Sequence, residues 1–243
     1  MTSAQLWLGY GSLLISTISY VIYIPDVIRG KTKPHSFSWL VWSVLGLTAF
    51  LIQATAGAGA GAWVNGYSAI ACAAVFLLAL KFGEKQIVLT DWIFLGGACA
   101  TYLLWLVTKQ ALPSILLITI IDFFGFLPTY RKSYHKPFEE SASMYWLSSF
   151  KYVLSIMALS SFSLVNLLYP AALVLLNGIF TIMLYVRRRT ISSTLWYTKT
   201  MQYLISLILS GILPLTVIAA SVHVDWKKDG LTITDDTYEN IEV

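Results

Sequence analysis

The chain alternates between long apolar stretches and short polar segments. The apolar stretches lie near residues 6–27, 37–56, 61–80, 91–108, 112–130, 142–163, 167–186 and 202–222. About 20 apolar residues in a helix span the ~30 Å hydrocarbon core of a bilayer. The pattern therefore predicts eight transmembrane helices, the last of them bent by Gly211 and Pro214.

Composition supports the membrane assignment. Of the 243 residues, 57% are hydrophobic and 12% are charged, whereas a soluble domain has a charged fraction of about 25%. The first apolar stretch has no basic residue before it, so we interpret it as a retained helix and not as a signal peptide. The sequence predicts an all-α integral membrane protein whose main partner is the lipid bilayer.

Basic residues are concentrated in alternate connections between the predicted helices. These connections hold Arg29, Lys31 and Lys33; Lys81 and Lys85; Arg131, Lys132 and Lys136; and Arg187, Arg188, Arg189 and Lys199. Lysine and arginine accumulate on the cytoplasmic side of membrane proteins, which predicts an amino terminus outside and basic loops inside, in a plasma or inner membrane. This topology accounts for the net charge of +4 and leaves no reason to expect a nucleic-acid partner.

Reactive side chains show no catalytic or metal-binding pattern. Cys72 and Cys99 fall within predicted helices, and the three histidines have no metal-ligand spacing. The chain has no His-Glu-x-x-His, no Gly-x-Ser-x-Gly and no phosphate-binding glycine loop. We therefore predict no metal, no cofactor and no enzymatic activity.

Two segments of the chain are similar to each other. When residues 24–39 are aligned with residues 127–142, Pro25 meets Pro128, Arg29 meets Lys132, and Lys33-Pro34 meets Lys136-Pro137, at a constant separation of 103 residues. Ser38 meets Ser141 in the same register. This similarity predicts an internal repeat.

The repeat predicts the domain organisation. A first three-helix unit covers 1–85, a linker helix 86–110, a second three-helix unit 111–190, a loop and an eighth helix 191–222, and an acidic polar tail 223–243. Because one helix intervenes, the two units run parallel in the membrane. Such 3+1+3 parallel repeats occur in small transporters, which hold their substrate near the midplane between the units.

Three polar residues are predicted to lie near the middle of the membrane. Asp122 precedes Arg131 by nine residues, Lys151 follows Glu140 by eleven, and Asn177 precedes Arg187 by ten. At 1.5 Å per residue these side chains are roughly 13 to 16 Å from the cytoplasmic boundary. An unpaired charge at that depth costs at least ~2.5 kcal/mol, so we interpret Asp122 and Lys151 as a buried pair. The alternative is an ion pair with a purely structural role.

The repeat extends this polar set to the first unit. In the register of 103 residues, Asp122 corresponds to Ser19 and Lys151 to Thr48. The predicted pocket is therefore polar on one wall and ionic on the other. The aromatic residues Trp39, Trp42, Tyr145 and Trp146 are predicted to lie at the inner ends of helices as headgroup anchors, with stacking of an inward-facing subset on a solute left open.

The repeated proline, basic loop, serine and aromatic residue resemble the PQ-loop family, which includes the SWEET-like sugar carriers, lysosomal amino-acid exporters and the KDEL receptor. Pro25 and Pro128 are followed by Asp26 and Thr129 in place of the glutamine of the family motif. The resemblance covers the first seven helices. It implies hinges at Pro25 and Pro128, and asparagines of the third and seventh helices, Asn65 and Asn177, as substrate contacts.

The functional prediction is a small-solute carrier with a pocket formed by Ser19, Thr48, Asp122, Lys151 and Asn177. Coupling to protons through Asp122 and Lys151 is part of this hypothesis. The solute class stays open among amino acids, sugars and vitamins, and the chain is compatible with a homo-oligomer. The alternatives are a receptor or sorting protein of the same fold and, more remotely, a retinal protein that uses Lys151 and Asp122.

Overall fold

The computed structural model describes residues 1–84, 88–212, 223–227, 230–235 and 238–242. The described helices and strands, in chain order, are α1 (Ser3–Ile28), α2 (Ser36–Thr55), α3 (Trp63–Phe82), α4 (Leu89–Thr108), α5 (Ala111–His135), α6 (Ala142–Met157), α7 (Leu164–Ile212), β1 (His223–Lys227), β2 (Gly230–Asp235) and β3 (Tyr238–Glu242). Short 3-10 turns at Gly59–Ala62 and Pro137–Glu139 precede α3 and α6.

Six helices in the described residues are long and apolar enough to cross a membrane. They are α1 to α5 and the segment Leu164–Ser192 of α7. Their outer faces expose large apolar side chains, among them Ile70, Leu77, Val107 and Leu175. Large exposed apolar surfaces are rare on water-soluble monomers, so the helices are compatible with a multi-pass membrane protein.

Polar side chains at the helix ends explain where several helices begin. Before α1, the Thr2 hydroxyl accepts a hydrogen bond from the Gln5 amide and the Gln5 side chain accepts one from the Thr2 amide. His35 caps α2 and Ser141 caps α6. These caps satisfy amides that have no partner inside the helix. The first five helices consequently begin and end within a few residues of the predicted limits, except that α5 continues to His135.

The sixth helix is shorter than its apolar run predicts. The sequence predicts a helix over 142–163, whereas α6 ends at Met157 and has 16 residues, a length of ~24 Å. The chain turns at Ala158, and the Ser160 amide donates to the Ala58 carbonyl at 3.0 Å. The Ser163 hydroxyl then accepts from the Asn166 amide as α7 begins. The helix therefore ends inside an apolar run, at a segment rich in serines, whose side chains compete with helical hydrogen bonds.

The predicted loop between the seventh and eighth helices is wrong. The backbone of α7 continues without a break from Leu164 to Ile212, through Arg187, Arg188 and Arg189. No proline or glycine lies between Gly178 and Gly211, so the basic cluster does not end the helix. The predicted eighth helix at 202–222 therefore has no separate start at residue 202, and residues 213–222 lie outside the described residues.

The chain divides into two compact units, Met1–Arg187 and Arg188–Val243. The second unit contains the end of α7 and a sheet in which β1 pairs with β2 and β2 with β3, all antiparallel. These strands occupy the segment predicted as an acidic polar tail. All the predicted site residues belong to the first unit.

In the first unit, α1 packs against α3 and α6, and α2 packs against α3, α4 and α5. Helix α7 is linked to α5 and α6 by hydrogen bonds from Tyr130 to the Leu176 carbonyl and from Ser149 to the Val174 carbonyl. A cluster of buried aromatic residues, including Tyr20, Tyr23, Trp39, Tyr145 and Phe180, fills part of the space between the helices.

The 3-10 turn before α3 lies very close to α6. The Ser155 hydroxyl donates to the Gly61 carbonyl at 2.7 Å. A Cβ atom at Gly61 would lie 2.6 Å from Leu159 Cδ2 and 2.8 Å from the Ser155 carbonyl oxygen. Only glycine therefore allows the turn before α3 to approach the end of α6 so closely.

We expect Gly61→Ala to destabilise the protein by about 1 to 3 kcal/mol, the usual cost of forcing extra volume into a packed site. The measurement is the thermal unfolding temperature in detergent. Gly96→Ala is the matched control, because nothing lies within 4 Å of a Cβ at Gly96 in α4. Equal unfolding temperatures for the two variants would contradict the close packing at Gly61.

Candidate functional site

A cavity lies among six helices of the first unit. The centres of water molecules can occupy about 50 Å³ of it. Helices α1, α2, α3, α5, α6 and α7 all contribute to its wall. The lining residues are Tyr20, Trp39, Trp42, Gly46, Ser68, Cys72, Phe126, Met144, Tyr145, Ser148, Lys151, Tyr152, Tyr169, Leu173 and Asn177. A water molecule needs roughly 10 to 15 Å³ by this measure, so the cavity has room for a few waters.

Lys151 provides the positive charge of the cavity. Its side chain is 1% exposed, and its ammonium donates to the Ser16 hydroxyl at 3.1 Å and to the Ser68 hydroxyl at 2.8 Å. The Nζ atom also lies 5.1 Å from the ring centroids of Tyr20 and Tyr152, within the range of cation–π attraction. A lysine on α6 is thus stabilised mainly by residues of α1 and α3.

The predicted pair between Asp122 and Lys151 is not formed. Asp122 is fully buried on α5, and neither of its carboxyl oxygens has a hydrogen-bond partner. No Lys151–Asp122 contact within 4.0 Å exists among the ion pairs of the described residues. The Trp42 indole lies near enough to influence the carboxyl but does not reach hydrogen-bond geometry.

The physical reason is the direction of each side chain around its helix. Lys151 extends from α6 toward α1 and α3, whereas Asp122 lies near Trp42 of α2. Similar depth in the membrane does not make two side chains neighbours. Asp122 does not line the cavity, although it interacts electrostatically with three residues that do, Cys72, Tyr152 and Tyr169.

Of the other predicted site residues, only Asn177 lines the cavity, and its side-chain amide donates to the Leu173 carbonyl of its own helix at 2.8 Å. Ser19 and Thr48 are buried, but their hydroxyls donate to the carbonyls of Ser16 and Val44 and neither residue is part of the lining. The structure therefore does not bring these two hydroxyls to the cavity.

Asn65 belongs to a different buried cluster, near the start of α3. Its side-chain amide donates to Gln53 Oε1 at 2.7 Å, and the Gln53 amide donates to the Asn166 carbonyl at 2.8 Å. Asn166 in turn donates to the carbonyls of Ala56 and Ser161. Three amide side chains thus connect the ends of α2, α3 and α7, away from the cavity.

The predicted aromatic anchors lie mostly inside the protein. Trp39 and Tyr145 are buried, Trp42 is partly buried, and all three line the cavity. Only Trp146 is exposed, at 50%. The anchor interpretation is therefore wrong for three of the four, and the inward-facing subset is Trp39, Trp42 and Tyr145.

Sequence reasoning did not identify Ser16, Ser68, Tyr20 and Tyr152 around the ammonium. One signal was present: Ser12, Ser16 and Ser19 have the spacing i, i+4 and i+7, which places three hydroxyls on one face of α1. All three are buried. Ser68 and Tyr152 carry no comparable signal, because an isolated hydroxyl in an apolar helix is common.

Charged residues of the two similar loops contact one another at the end of the helices that the sequence predicts to be cytoplasmic. Lys132 Nζ lies 3.2 Å from Glu140 Oε2, and these side chains are 7% and 0% exposed. The Tyr23 hydroxyl donates to the other Glu140 oxygen at 3.0 Å. Lys33 Nζ lies 2.5 Å from Glu139 Oε1, and Lys132 Nζ also donates to the Lys33 carbonyl. This network, called here the inner lock, joins the segments that follow α1 and α5.

Two further contacts join helices near the inner lock. The Thr129 hydroxyl on α5 donates to the Ser38 hydroxyl on α2, which donates to the Gly125 carbonyl. His35 Nε2 lies 3.6 Å from Asp91 Oδ2, linking the starts of α2 and α4. Nothing in the described ranges gathers three or more His, Cys, Asp or Glu side chains as a metal site.

Pro25 and Pro128 both lie inside helices, Pro25 in the last turn of α1 and Pro128 about two turns before the end of α5. Proline removes one backbone hydrogen bond and disfavours a regular helix at the preceding turn. Each proline is followed by a segment of the inner lock. Their action as hinges stays a prediction.

Comparison of the chain with protein-family models, with curated proteins and with solved structures finds no match in any of the three. The resemblance to the PQ-loop family therefore stays a prediction from the residues.

We expect Ser68→Ala to lower the free energy of unfolding by about 1.5 to 3 kcal/mol, the range for a hydrogen bond to a charged group. Chemical unfolding in detergent measures it. Ser12→Ala is the matched control, because the Ser12 hydroxyl is buried and donates only to the Gly9 carbonyl in its own helix. A loss for Ser68→Ala no larger than that of the control would show that the ammonium does not depend on Ser68.

Proposed function

We propose that the protein is a small-solute membrane transporter with a polar pocket near the membrane midplane, between helices α1–α3 and helices α5–α7. The observation that carries this proposal is the buried Lys151 ammonium on the wall of a cavity large enough for water. Ionisable groups at membrane depth usually mark a substrate or ion pathway. The cavity is narrow in this conformation, so the proposal requires a second, wider one.

The contacts among the helices support an arrangement of two equivalent halves. Helix α1 packs on α6 and α2 packs on α5, which is the pairing expected when an axis exchanges α1 with α5 and α2 with α6. Within each half, a serine of the second helix donates to a carbonyl of the third: Ser43 to Ala69 and Ser149 to Val174, both at 2.9 Å. Alternating access then follows from rocking of one half against the other.

The inner lock would be the cytoplasmic gate. It connects the segments after Pro25 and Pro128, which are the predicted hinges, and it buries Lys132 and Glu140 together. Removing one partner of a buried pair leaves an uncompensated charge and costs about 3 to 5 kcal/mol. The contacts that cross between the two halves include the Lys33–Glu139 ion pair and the hydrogen bond from Tyr23 to Glu140, and opening requires them to separate. The Lys132–Glu140 pair lies within the second segment and neutralises Glu140 there.

Asp122 is the proposed proton site. Its carboxyl is buried without a hydrogen bond, and the groups near it from neighbouring helices are Trp42, Cys72, Tyr152 and Tyr169, none of which is a cation at neutral pH. An isolated carboxylate is very costly in such surroundings, so the neutral, protonated form fits this conformation. Release of the proton would need a conformation in which water reaches Asp122.

Opening of the inner lock is testable through Cys72, which lines the cavity. In a Cys99→Ser background we expect Glu140→Gln to raise the rate of Cys72 modification by a charged methanethiosulfonate reagent about tenfold or more. The Glu140 carboxylate accepts a hydrogen bond from Tyr23 across the two halves, and a hydrogen bond to a charged group is worth about 1.5 to 3 kcal/mol, more than the ~1.4 kcal/mol of a tenfold change. The reagent is added to the cytoplasmic face of oriented vesicles.

The control for this experiment is Asp26→Asn, which removes an ion pair to Lys31, whose side chain is 71% exposed. This variant should leave the modification rate unchanged. An unchanged rate in Glu140→Gln as well would show that the inner lock does not close the path to the cavity.

Asp122→Asn tests the proton site. Because the carboxyl has no partner in the protein, we expect the unfolding temperature to stay equal or rise. The transport substrate for this assay is a compound that stabilises the wild type in a thermal-shift screen of amino acids, sugars and vitamins. In proteoliposomes the variant should lose accumulation driven by a pH gradient but keep exchange of that compound.

Asp26→Asn again serves as the control, with normal accumulation expected. Full pH-driven accumulation in Asp122→Asn would remove Asp122 from the mechanism. A compound that binds the wild type but never enters proteoliposomes would instead favour a receptor of the same fold.

A further inference from the structure

Among the described residues, no carboxylate lies within ion-pair distance of Lys151. The ion pairs Lys31–Asp26, Lys33–Glu139 and Lys132–Glu140 lie elsewhere. Asp122 makes no contact with Lys151 within 4.0 Å and is not part of the cavity lining. The cavity therefore has a single cation on its surface, stabilised by hydroxyls and rings but without a counter-ion.

The ammonium also has hydrogen-bonding capacity left. A lysine ammonium has three N–H donors, and two of them are used by Ser16 and Ser68. No further hydrogen bond from Lys151 occurs within the described residues. Because Lys151 lines the cavity, the remaining donor is available to an acceptor placed there.

Other polar groups on the cavity wall lack partners as well. The indole nitrogens of Trp39 and Trp42 and the Tyr145 hydroxyl are buried and make no hydrogen bond. An indole nitrogen can only donate, and a tyrosine hydroxyl can donate. The Trp42 indole lies near Asp122 and the Trp39 indole near Tyr23, whereas no hydrogen-bonding neighbour is found for the Tyr145 hydroxyl in the described residues. Buried polar groups are normally satisfied by protein or ligand, so Tyr145 together with the remaining donor of Lys151 is complementary to a molecule that accepts hydrogen bonds.

Aromatic rings form most of the remaining surface. Seven of the fifteen lining residues are aromatic: Tyr20, Trp39, Trp42, Phe126, Tyr145, Tyr152 and Tyr169. The rings of Trp39 and Trp42 are 5.2 Å apart, and those of Trp42 and Phe126 are 4.8 Å apart. Rings favour offset stacking or edge-to-face contact with other planar groups.

We propose that the transported solute is a planar organic carboxylate, whose carboxylate group accepts hydrogen bonds from Lys151 while its ring packs between the aromatic walls. This inference rests on the proposed transport function. The bound anion and the ammonium neutralise each other. This lowers the free-energy cost of having each charge in the low-dielectric middle of the membrane. The solute enters when the cavity widens, since the present volume holds only waters.

The experiment measures binding to the purified full-length protein in detergent by equilibrium dialysis with radiolabelled cinnamate, in competition with three matched compounds. Cinnamamide removes the charge, cinnamylamine reverses it, and cyclohexanecarboxylate keeps the carboxylate without a planar ring. We expect cinnamate to bind at least about tenfold more tightly than each of the three, the effect of one charge-assisted hydrogen bond or one ring contact.

Variants of Lys151 provide an independent measurement. Lys151→Met should weaken cinnamate binding at least about tenfold, and Lys151→Arg should restore most of it. The matched control is Lys81→Met, at the exposed inner end of α3, which should bind as the wild type does. Gel filtration and the unfolding temperature show whether each variant is folded. If a variant does not fold, the comparison of the four compounds on the wild type still tests the inference.

Several results would overturn the inference. They are equal or tighter binding of the amide or the amine, equal binding of cyclohexanecarboxylate, unchanged binding in folded Lys151→Met, and no cinnamate binding at millimolar concentration. Failure of the transport function is distinguishable from these: cinnamate would bind with the expected selectivity, yet proteoliposomes would not take it up. In that case the ligand class is right and the transporter proposal is wrong.

Discussion

The burial of one ammonium group organises the helices around the cavity. Lys151 on α6 is buried, so its charge has to be stabilised by neighbouring helices, and α1 and α3 supply Ser16, Ser68 and the ring of Tyr20. Those contacts require α1 to pack closely on α6. The close approach of Gly61 to Ser155 and Leu159 joins the same two halves further along α6. The residues that stabilise the ammonium are therefore also the residues that assemble the site.

The inner lock likewise neutralises charged side chains, at one end of the helices. The basic residues that determine the predicted orientation include Lys33 and Lys132, and both are neutralised by the acidic pair Glu139 and Glu140. Their contacts cross between the segments after α1 and α5, so they hold the halves together at one end only. At the level of the cavity, the halves meet mainly through aromatic contacts and serine hydroxyls. The ionic contacts of the inner lock are thus confined to one end of the helices, and the space around the cavity is filled by rings and hydroxyls.

The sequence predicted the first five helices and the start of α7 closely, because long apolar runs and capping residues determine where helices begin and end. Six helices of the described residues, against eight predicted, are long and apolar enough to span a membrane. The sequence predicted the depth of Asp122, Lys151 and Asn177 from the same geometry, but depth along a helix does not define direction around it. For this reason the Asp122–Lys151 pair failed, and Ser19 and Thr48 do not line the cavity. The basic residues 187–189 were misinterpreted as a loop because a membrane boundary was treated as a helix end. Trp39 and Tyr145 were misplaced because aromatic residues favour both headgroups and cores.

Lys151 and Asp122, the two buried ionisable residues of α6 and α5, both lie near residues of α1 to α3. Lys151 contacts α1 and α3, and Asp122 lies near Trp42 of α2. Any movement of one half against the other therefore changes the surroundings of both groups together. When the ammonium loses Ser16 and Ser68 it needs a new acceptor, and when Asp122 moves away from Trp42 it becomes accessible to water. In the proposed transporter, binding of an acceptor at Lys151 and exchange of a proton at Asp122 would therefore be linked through a single movement, without direct contact between the two side chains.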